Sequence, residues 1–262
     1  MSSPAPPAGT LPEPTWAELA DGSSPPDGCS AAKRRRYVRV KGRDCWWTVL
    51  VIDPIAAPFV RMVAGVGWLT PNVLTAASVV VAVAAGAAYA LDQLVVGALL
   101  FQASFAADCM DGKLAHTRGV GNPYGHYVDA VGDALRFAAC TGGLVFTLAS
   151  HESMTPGWVT VLALFPTIHY VRLTTQAAWP DRPQSDSLVV ASSPLAILRA
   201  ARTRLSKPGT TVDTEALAFT IGPLVGLPLE GILAAALVDA TRLFASLAMR
   251  LRATTLGRAE PL

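Results

Sequence analysis

The stretch Val73 to Leu91 carries no charged residue, and neither does Met154 to Val171. An uncharged apolar run of that length can cross the hydrocarbon core of a bilayer as a helix. A chain with two of them is confined to folds in which backbone groups inside the membrane bond within their own helix. Composition agrees: 52% of the 262 residues are hydrophobic and 15% are charged, with a mean hydropathy of +0.40. These values belong to a membrane protein rather than a soluble domain. The net charge of +2 is too small to indicate a nucleic-acid partner, and no Lys/Arg run is interleaved with aromatics. Cys29, Cys45, Cys109 and Cys140 show neither CxxC spacing nor His partners, so reduced or buried thiols are expected rather than disulfides or a zinc site.

Four further stretches are shorter or interrupted: Leu94 to Ala107, Phe137 to Ser150, Ala216 to Leu229, and Gly231 to Met249 with Asp239 and Arg242 inside it. Charge decides what hydropathy leaves open. With all six as helices, the short connections at 92–93, 151–157 and 226–230 contain no Lys or Arg. The basic loop and tail residues then share the other side: the 33–43 run, Lys113, Arg118, Arg182, Arg199, Arg202, Arg204, Lys207, Arg250, Arg252 and Arg258. Dropping or adding one span scrambles this separation. The predicted fold class is therefore all-α, a polytopic membrane protein of six transmembrane helices. Both termini and the 108–133 stretch face the cytosol, and the expected location is the plasma (inner) membrane.

Outside the membrane helices, residues 1–44 read as a disordered, basic cytosolic tail, rich in Pro, Ser, Gly and Ala and ending in KRRRYVRVKGR. No apolar core or cleavage site follows a short basic start, so it is not a signal peptide, and its basic run suits anionic headgroups. Residues 45–67, with Trp46, Trp47, Pro54 and Pro58, predict an N-terminal interfacial amphipathic helix rather than a seventh span. The first span is expected to start at Thr70-Pro71. The membrane domain is expected over 68–252, followed by a cytosolic tail, 253–262. Between spans four and five, 174–212 predicts a long cytosolic loop with a short basic amphipathic helix around Leu195 to Leu205.

Within this apolar chain, residues 108–133 read DCMDGKLAHTRGVGNPYGHYVDAVGD. Asp108 and Asp111 are three apart and Asp129 and Asp133 four apart, so on helices each pair projects from one face. Gly112, Ala115 and Gly125 leave room beside them. Four converging carboxylates repel one another unless a cation is present, and oxygen-only ligands favour hard ions such as Mg²⁺, Mn²⁺ or Ca²⁺. In enzymes such ions usually serve bound phosphates. The alternative is a set of helix caps and surface carboxylates at a membrane edge.

The pattern DxxDGxxA, followed one position and eight residues later by GxxxDxxxD, resembles the signature of the CDP-alcohol phosphatidyltransferase family. Asp108, Asp111, Gly112, Ala115, Gly125, Asp129 and Asp133 meet seven of its eight fixed positions across 26 residues. TPNVLT at 70–75 resembles the start of the family's first membrane helix. The resemblance covers roughly 68–250. It implies attack of an alcohol hydroxyl on the β-phosphorus of a CDP-linked donor, with release of CMP. It further implies that Asp108, Asp111 and Asp129 hold one or two Mg²⁺ or Mn²⁺ ions, with Asp133 as general base that also touches a metal. Gly112 and Ala115 would make space for the cytidine, with Thr75, Lys113, His116, Arg118 and Gly125 on the donor side. The implied partners are a CDP-linked lipid donor, a small alcohol acceptor, phosphorylated or not, membrane lipids and a second copy in a homodimer.

The eighth position departs from the pattern: His116 stands where the family has Arg, which holds two phosphate oxygens with a permanent charge. Either Lys113 or Arg118 compensates, the donor differs, or activity is reduced. Arg172, Arg199, Arg202, Arg204 and Lys207 would suit an anionic acceptor, although topology also accounts for them. Asp213 and Glu215 would suit a polyol or an amine, His126 either the pocket or a helix interface, and Asp239 with Arg242 an internal ion pair. The loop charges favour CDP-diacylglycerol as donor over a CDP-linked small alcohol. The rivals are a divalent-cation transporter, which should line both halves of the membrane with polar groups, and a noncatalytic lipid-binding relative.

Overall fold

A computed structural model of the chain describes residues 38–118, 123–151, 155–178, 188–191, 199, 201–206 and 208–255. The disorder expected for the first 37 residues and most of the helix expected near Leu195 lie outside these residues, as do the connection 119–122 and the last seven residues.

The order is β1 (Val38–Lys41), a π-helical turn (Thr48–Ile52) running into α1 (Asp53–Val63), α2 (Pro71–Ala90), α3 (Leu94–Arg118), α4 (Pro123–His151), α5 (Pro156–Ala178), β2 (Leu188–Ala191), α6 (Ala201–Arg204), α7 (Thr211–Ala216), a second π-helical stretch (Leu217–Ile221), α8 (Gly222–Leu224) and α9 (Pro228–Thr255). Among the described residues the protein is all-α apart from one two-stranded sheet. Helical segments fall within each of the six stretches expected to span, but the fifth breaks at a turn over 225–227. Four are long and apolar enough to cross a membrane: Pro71–Ala90, Leu94–Arg118, Tyr127–Ser150 and Pro228–Arg252.

The helix starts follow from local chemistry. Pro71 opens α2, where its missing N–H costs nothing, and the Thr70 side chain accepts a bond from the Val73 amide at 3.3 Å. The return into α3 is tight, with Asp92 at φ +60° and its amide donating to the Tyr89 carbonyl at 2.8 Å. At α7, Thr210 and Asp213 form a reciprocal capping box. Asp213 also accepts from the Trp47 amide at 3.1 Å. The carboxylate considered for a polyol or an amine is thus a helix cap that ties the N-terminal segment to α7.

α2 lies along α3 and crosses α4 with almost no gap. A Cβ on Gly143 would sit 2.1 Å from the Gly86 carbonyl oxygen, so only glycine permits this approach. A second crossing, Gly222 against Gly231, brings α8 onto the start of α9. Two apolar cores result. One joins β1, α1, the start of α2 and the second half of α3. The other joins the far ends of α2 and α3 to α4, α5, the 217–221 stretch and α9 around Phe101, Phe165 and Phe219.

Two expectations need correcting. Residues 38–41, placed in the unstructured tail, form β1, paired antiparallel with β2 in the register Val38↔Ala191 and Val40↔Val189. The cause is the period-two pattern VRVK, which buries Val38 and Val40. Asp44 continues the tie, its amide donating to the Arg204 carbonyl and its carbonyl accepting from Ser206, each at 2.9 Å. The second correction concerns Asp239, whose partner is not Arg242. It accepts from Arg172 and from Thr214 Oγ1 at 3.0 Å and meets His169 Nδ1 at 2.7 Å, while Arg242 reaches the Gly209 carbonyl at 3.4 Å. The turn of α9 directs Asp239 toward α5 and α7, and a pair three residues apart is a weaker option than this buried network.

α1 buries one face and exposes the other. Ala56, Ala57, Val60 and Val63 are buried against α3, whereas Ile55 and Met62 on α1, and Trp68 beyond it, are exposed. Its C-terminal end is held by Arg118, whose guanidinium donates to the carbonyls of Val63, Ala64, Val66 and Leu69 at 2.7–3.3 Å. Two of these carbonyls, of Val63 and Ala64, belong to the helix end, and the other two to the turn that leads to α2.

Candidate metal and substrate site

The motif divides between two helices. Asp108, Asp111, Gly112, Ala115 and His116 stand in the second half of α3, while Gly125, Asp129 and Asp133 stand in the first half of α4. Their carboxylates converge: one oxygen each from Asp108, Asp111 and Asp129 lies within 4.8 Å of the others. α2 supports the group, since Thr75 Oγ1 donates to the buried Asp111 carboxylate. Gly132 faces the same threonine, its Cβ direction 3.6 Å from Thr75 Cγ2.

Asp133 lies outside that trio, with its side chain 51% exposed. It is held by Arg136, three residues along α4, whose other terminal nitrogen is 3.2 Å from Asp108 Oδ1. The Arg136 guanidinium lies 5.2 Å from the centre of the Phe105 ring. Sequence inspection for acidic spacing passed over Arg136. Its signal was its position three after Asp133 and seven after Asp129, on the same helix face.

The donor set fits a hard divalent cation. It is all oxygen, it converges, and Asp108 Oδ1 is buried without a hydrogen bond despite the nearby guanidinium. One residue after Asp111, the Cβ direction of the exposed Gly112 meets no heavy atom within 4 Å. Ala115 and Gly125 are half-buried and His116 is exposed at the rim.

The two cations considered as substitutes for a motif arginine have other partners. Lys113 Nζ is 2.9 Å from Asp53 Oδ1 and donates to the Cys109 carbonyl. Arg118 clamps the end of α1. Of the residues considered for the acceptor, Arg172 is buried on Asp239 and the Gly209 carbonyl and Arg199 is exposed. The side chain of Arg202, like those of Lys207 and His126, lies outside the described residues. Arg204 is buried, bonded to Asp53 and, at 2.9 Å, to the Lys41 carbonyl. Glu215 is 3.3 Å from His169 Nε2.

The fold and the site define a class: an all-α integral membrane protein in which three carboxylates able to hold a cation converge from two apolar helices. Residues 68–233 match the sequence model of the CDP-alcohol phosphatidyltransferases, and the chain belongs to that family of membrane enzymes that transfer substituted phosphate groups. The family uses CDP-linked donors and alcohol acceptors and is generally dependent on divalent metal. No curated protein matches the chain.

Proposed function

We propose that the protein transfers a phosphatidyl group from CDP-diacylglycerol to the hydroxyl of a small alcohol, releasing CMP, in a reaction of phospholipid biosynthesis that depends on Mg²⁺ or Mn²⁺. The observation that carries this proposal is the convergence of three motif carboxylates within 4.8 Å of one another beside the open face of Gly112. Asp108, Asp111 and Asp129 hold the ion or ions. When bound, such an ion neutralises the diphosphate and the charge that develops on the departing phosphate.

The chain's own residues do the rest. Asp133, outside the trio and half exposed, takes the proton of the acceptor hydroxyl as its oxygen attacks the β-phosphorus. The bond from that phosphorus to the bridging oxygen breaks, and CMP leaves with the electron pair. Gly112 and Ala115 admit the nucleotide, and Thr75, Gly125 and His116 border it. Lys113 and Arg118 shape the donor side through α1, since their charges already have partners. Arg199 and Arg202 are assigned to the acceptor, which favours a polar one, phosphorylated or not, while Arg172 contributes through the buried network it forms with Asp239 and the Gly209 carbonyl.

In the same proposal, α5 and the 211–224 helices add two spans to the four apolar ones, α1 lies along the cytosolic surface, and the homodimeric protein resides in the plasma membrane with its site and both termini in the cytosol. The test is product analysis with purified protein, Mg²⁺ or Mn²⁺, and labelled CDP-diacylglycerol or CDP-linked small alcohols. CMP and a lipid phosphodiester are expected from CDP-diacylglycerol. No CMP from any donor refutes the function, and CMP from a small-alcohol donor alone reverses donor and acceptor.

A further inference from the structure

Permanent positive charge is scarce on the two motif helices: α3 carries Lys113 and Arg118, and α4 carries Arg136. Lys113 faces Asp53 and Arg118 faces the carbonyls at the end of α1. Arg136 points into the aspartates, bonded to Asp133 and 3.2 Å from Asp108.

Arg136 is also the least satisfied of the buried arginines. Its side chain is 4% exposed, yet Nε and Nη1 have no hydrogen-bond acceptor. Arg172 and Arg204 each leave one nitrogen unbonded, but both are fixed on a backbone carbonyl, of Gly209 and Lys41 respectively. Among the described contacts Arg136 has no such carbonyl. Buried guanidinium donors without acceptors are costly, and what relieves them is an oxygen-rich anion presented to the planar fork. Asp108, Asp111 and Asp129 would hold a cation beside the fork, and a phosphate drawn to that cation would come within reach of the guanidinium.

We infer that Arg136 grips the diphosphate of the CDP-linked donor and takes the place of the arginine that the family motif carries where this chain has His116. The inference rests on the proposed function and adds a binding residue to it. Arg136 approaches from α4, one turn beyond Asp133, whereas position 116 approaches from α3. The charge is therefore supplied from the opposite wall of the same site.

The test is calorimetric titration of CDP into the purified full chain at saturating Mg²⁺, for wild type, Arg136→Lys, Arg136→Gln and the double variant His116→Arg/Arg136→Gln, with Mn²⁺ affinity measured in parallel. Loss of charge-assisted bonds to phosphate is expected to weaken CDP by roughly 10- to 100-fold, with Arg136→Gln the weaker binder, and His116→Arg is expected to recover most of the loss. If Arg136 only balances the carboxylates, Mn²⁺ binding tightens and CDP affinity is unchanged in both single variants, which overturns the inference. Weakened CDP binding without recovery supports the grip and refutes the substitution for position 116. Should Arg136→Gln fail to fold, Arg136→Lys, which keeps the charge and loses the fork, decides alone. Wild-type protein that releases no CMP from any donor refutes the underlying function before the variants are compared.

Discussion

α3 carries two buried charge clusters, and they are built in opposite ways. At one, a single carboxylate, Asp53, meets two cations, Lys113 and Arg204, and the cluster binds α1 and the 201–206 segment to the motif helix. At the other, the four motif carboxylates have one guanidinium among them, that of Arg136, which touches Asp108 and Asp133. Lys113 of the first cluster is two residues from Asp111 of the second, so the two clusters leave different faces of one helix. Where the protein supplies enough counter-charge of its own, a buried ion cluster fixes structure. Where carboxylates outnumber cations in so apolar a chain, protons or a bound cation must balance them, and the proposed function assigns a divalent metal to that role. The ratio of charges, rather than their presence, separates architecture from chemistry here.

The contrast can be broken from either side. Asp53→Ala leaves Lys113 and Arg204 buried without their anion and should cost about 3–5 kcal/mol of stability, read as a lower unfolding temperature in detergent. An unchanged transition would mean that the cluster is not structural. Asp129→Ala acts on the other cluster and should reduce CMP release on the order of 10²–10³-fold while leaving unfolding unchanged or slightly raised, because it removes repulsion. Gly112→Leu should fill the open space beside the carboxylates and raise the KM for the CDP donor about tenfold, the equivalent of ~1.4 kcal/mol, with kcat less affected. A KM equal to wild type would move the nucleotide elsewhere. The smallest effect is expected for His116→Arg, which should preserve or modestly raise turnover. A complete loss would show that His116 has a substrate-specific task of its own.

Much of this was legible in the sequence, and the omissions share a cause. The uncharged run after Thr70-Pro71 located α2, and the spacing of Asp108, Asp111 and Asp129 marked carboxylates that converge, because both signals are local and periodic. Contacts between distant segments were not legible. Val38 and Val40 alternate as a strand should, but their partner β2 lies about 150 residues along the chain, and two short strands carry no signal that they will meet. Asp239 was placed with Arg242, its neighbour on the helix, because the rotation of α9 that turns it to Arg172, His169 and Thr214 depends on packing. Lys113 and Arg118 read as phosphate ligands because their motif position is visible, whereas Asp53 and the carbonyls that engage them belong to α1 and the segment after it. Arg136 was visible at i+3 from Asp133. Its importance emerges only once α3 brings Asp108 to the same guanidinium.

The account turns on the carboxylates of Asp108, Asp111 and Asp129 being balanced by a divalent cation. Electron paramagnetic resonance titration of Mn²⁺ into the purified protein measures this without substrate or turnover. Wild type should bind Mn²⁺ in competition with Mg²⁺, and Asp129→Ala should lose that binding while remaining folded. Equal Mn²⁺ affinity in the two proteins would contradict the account.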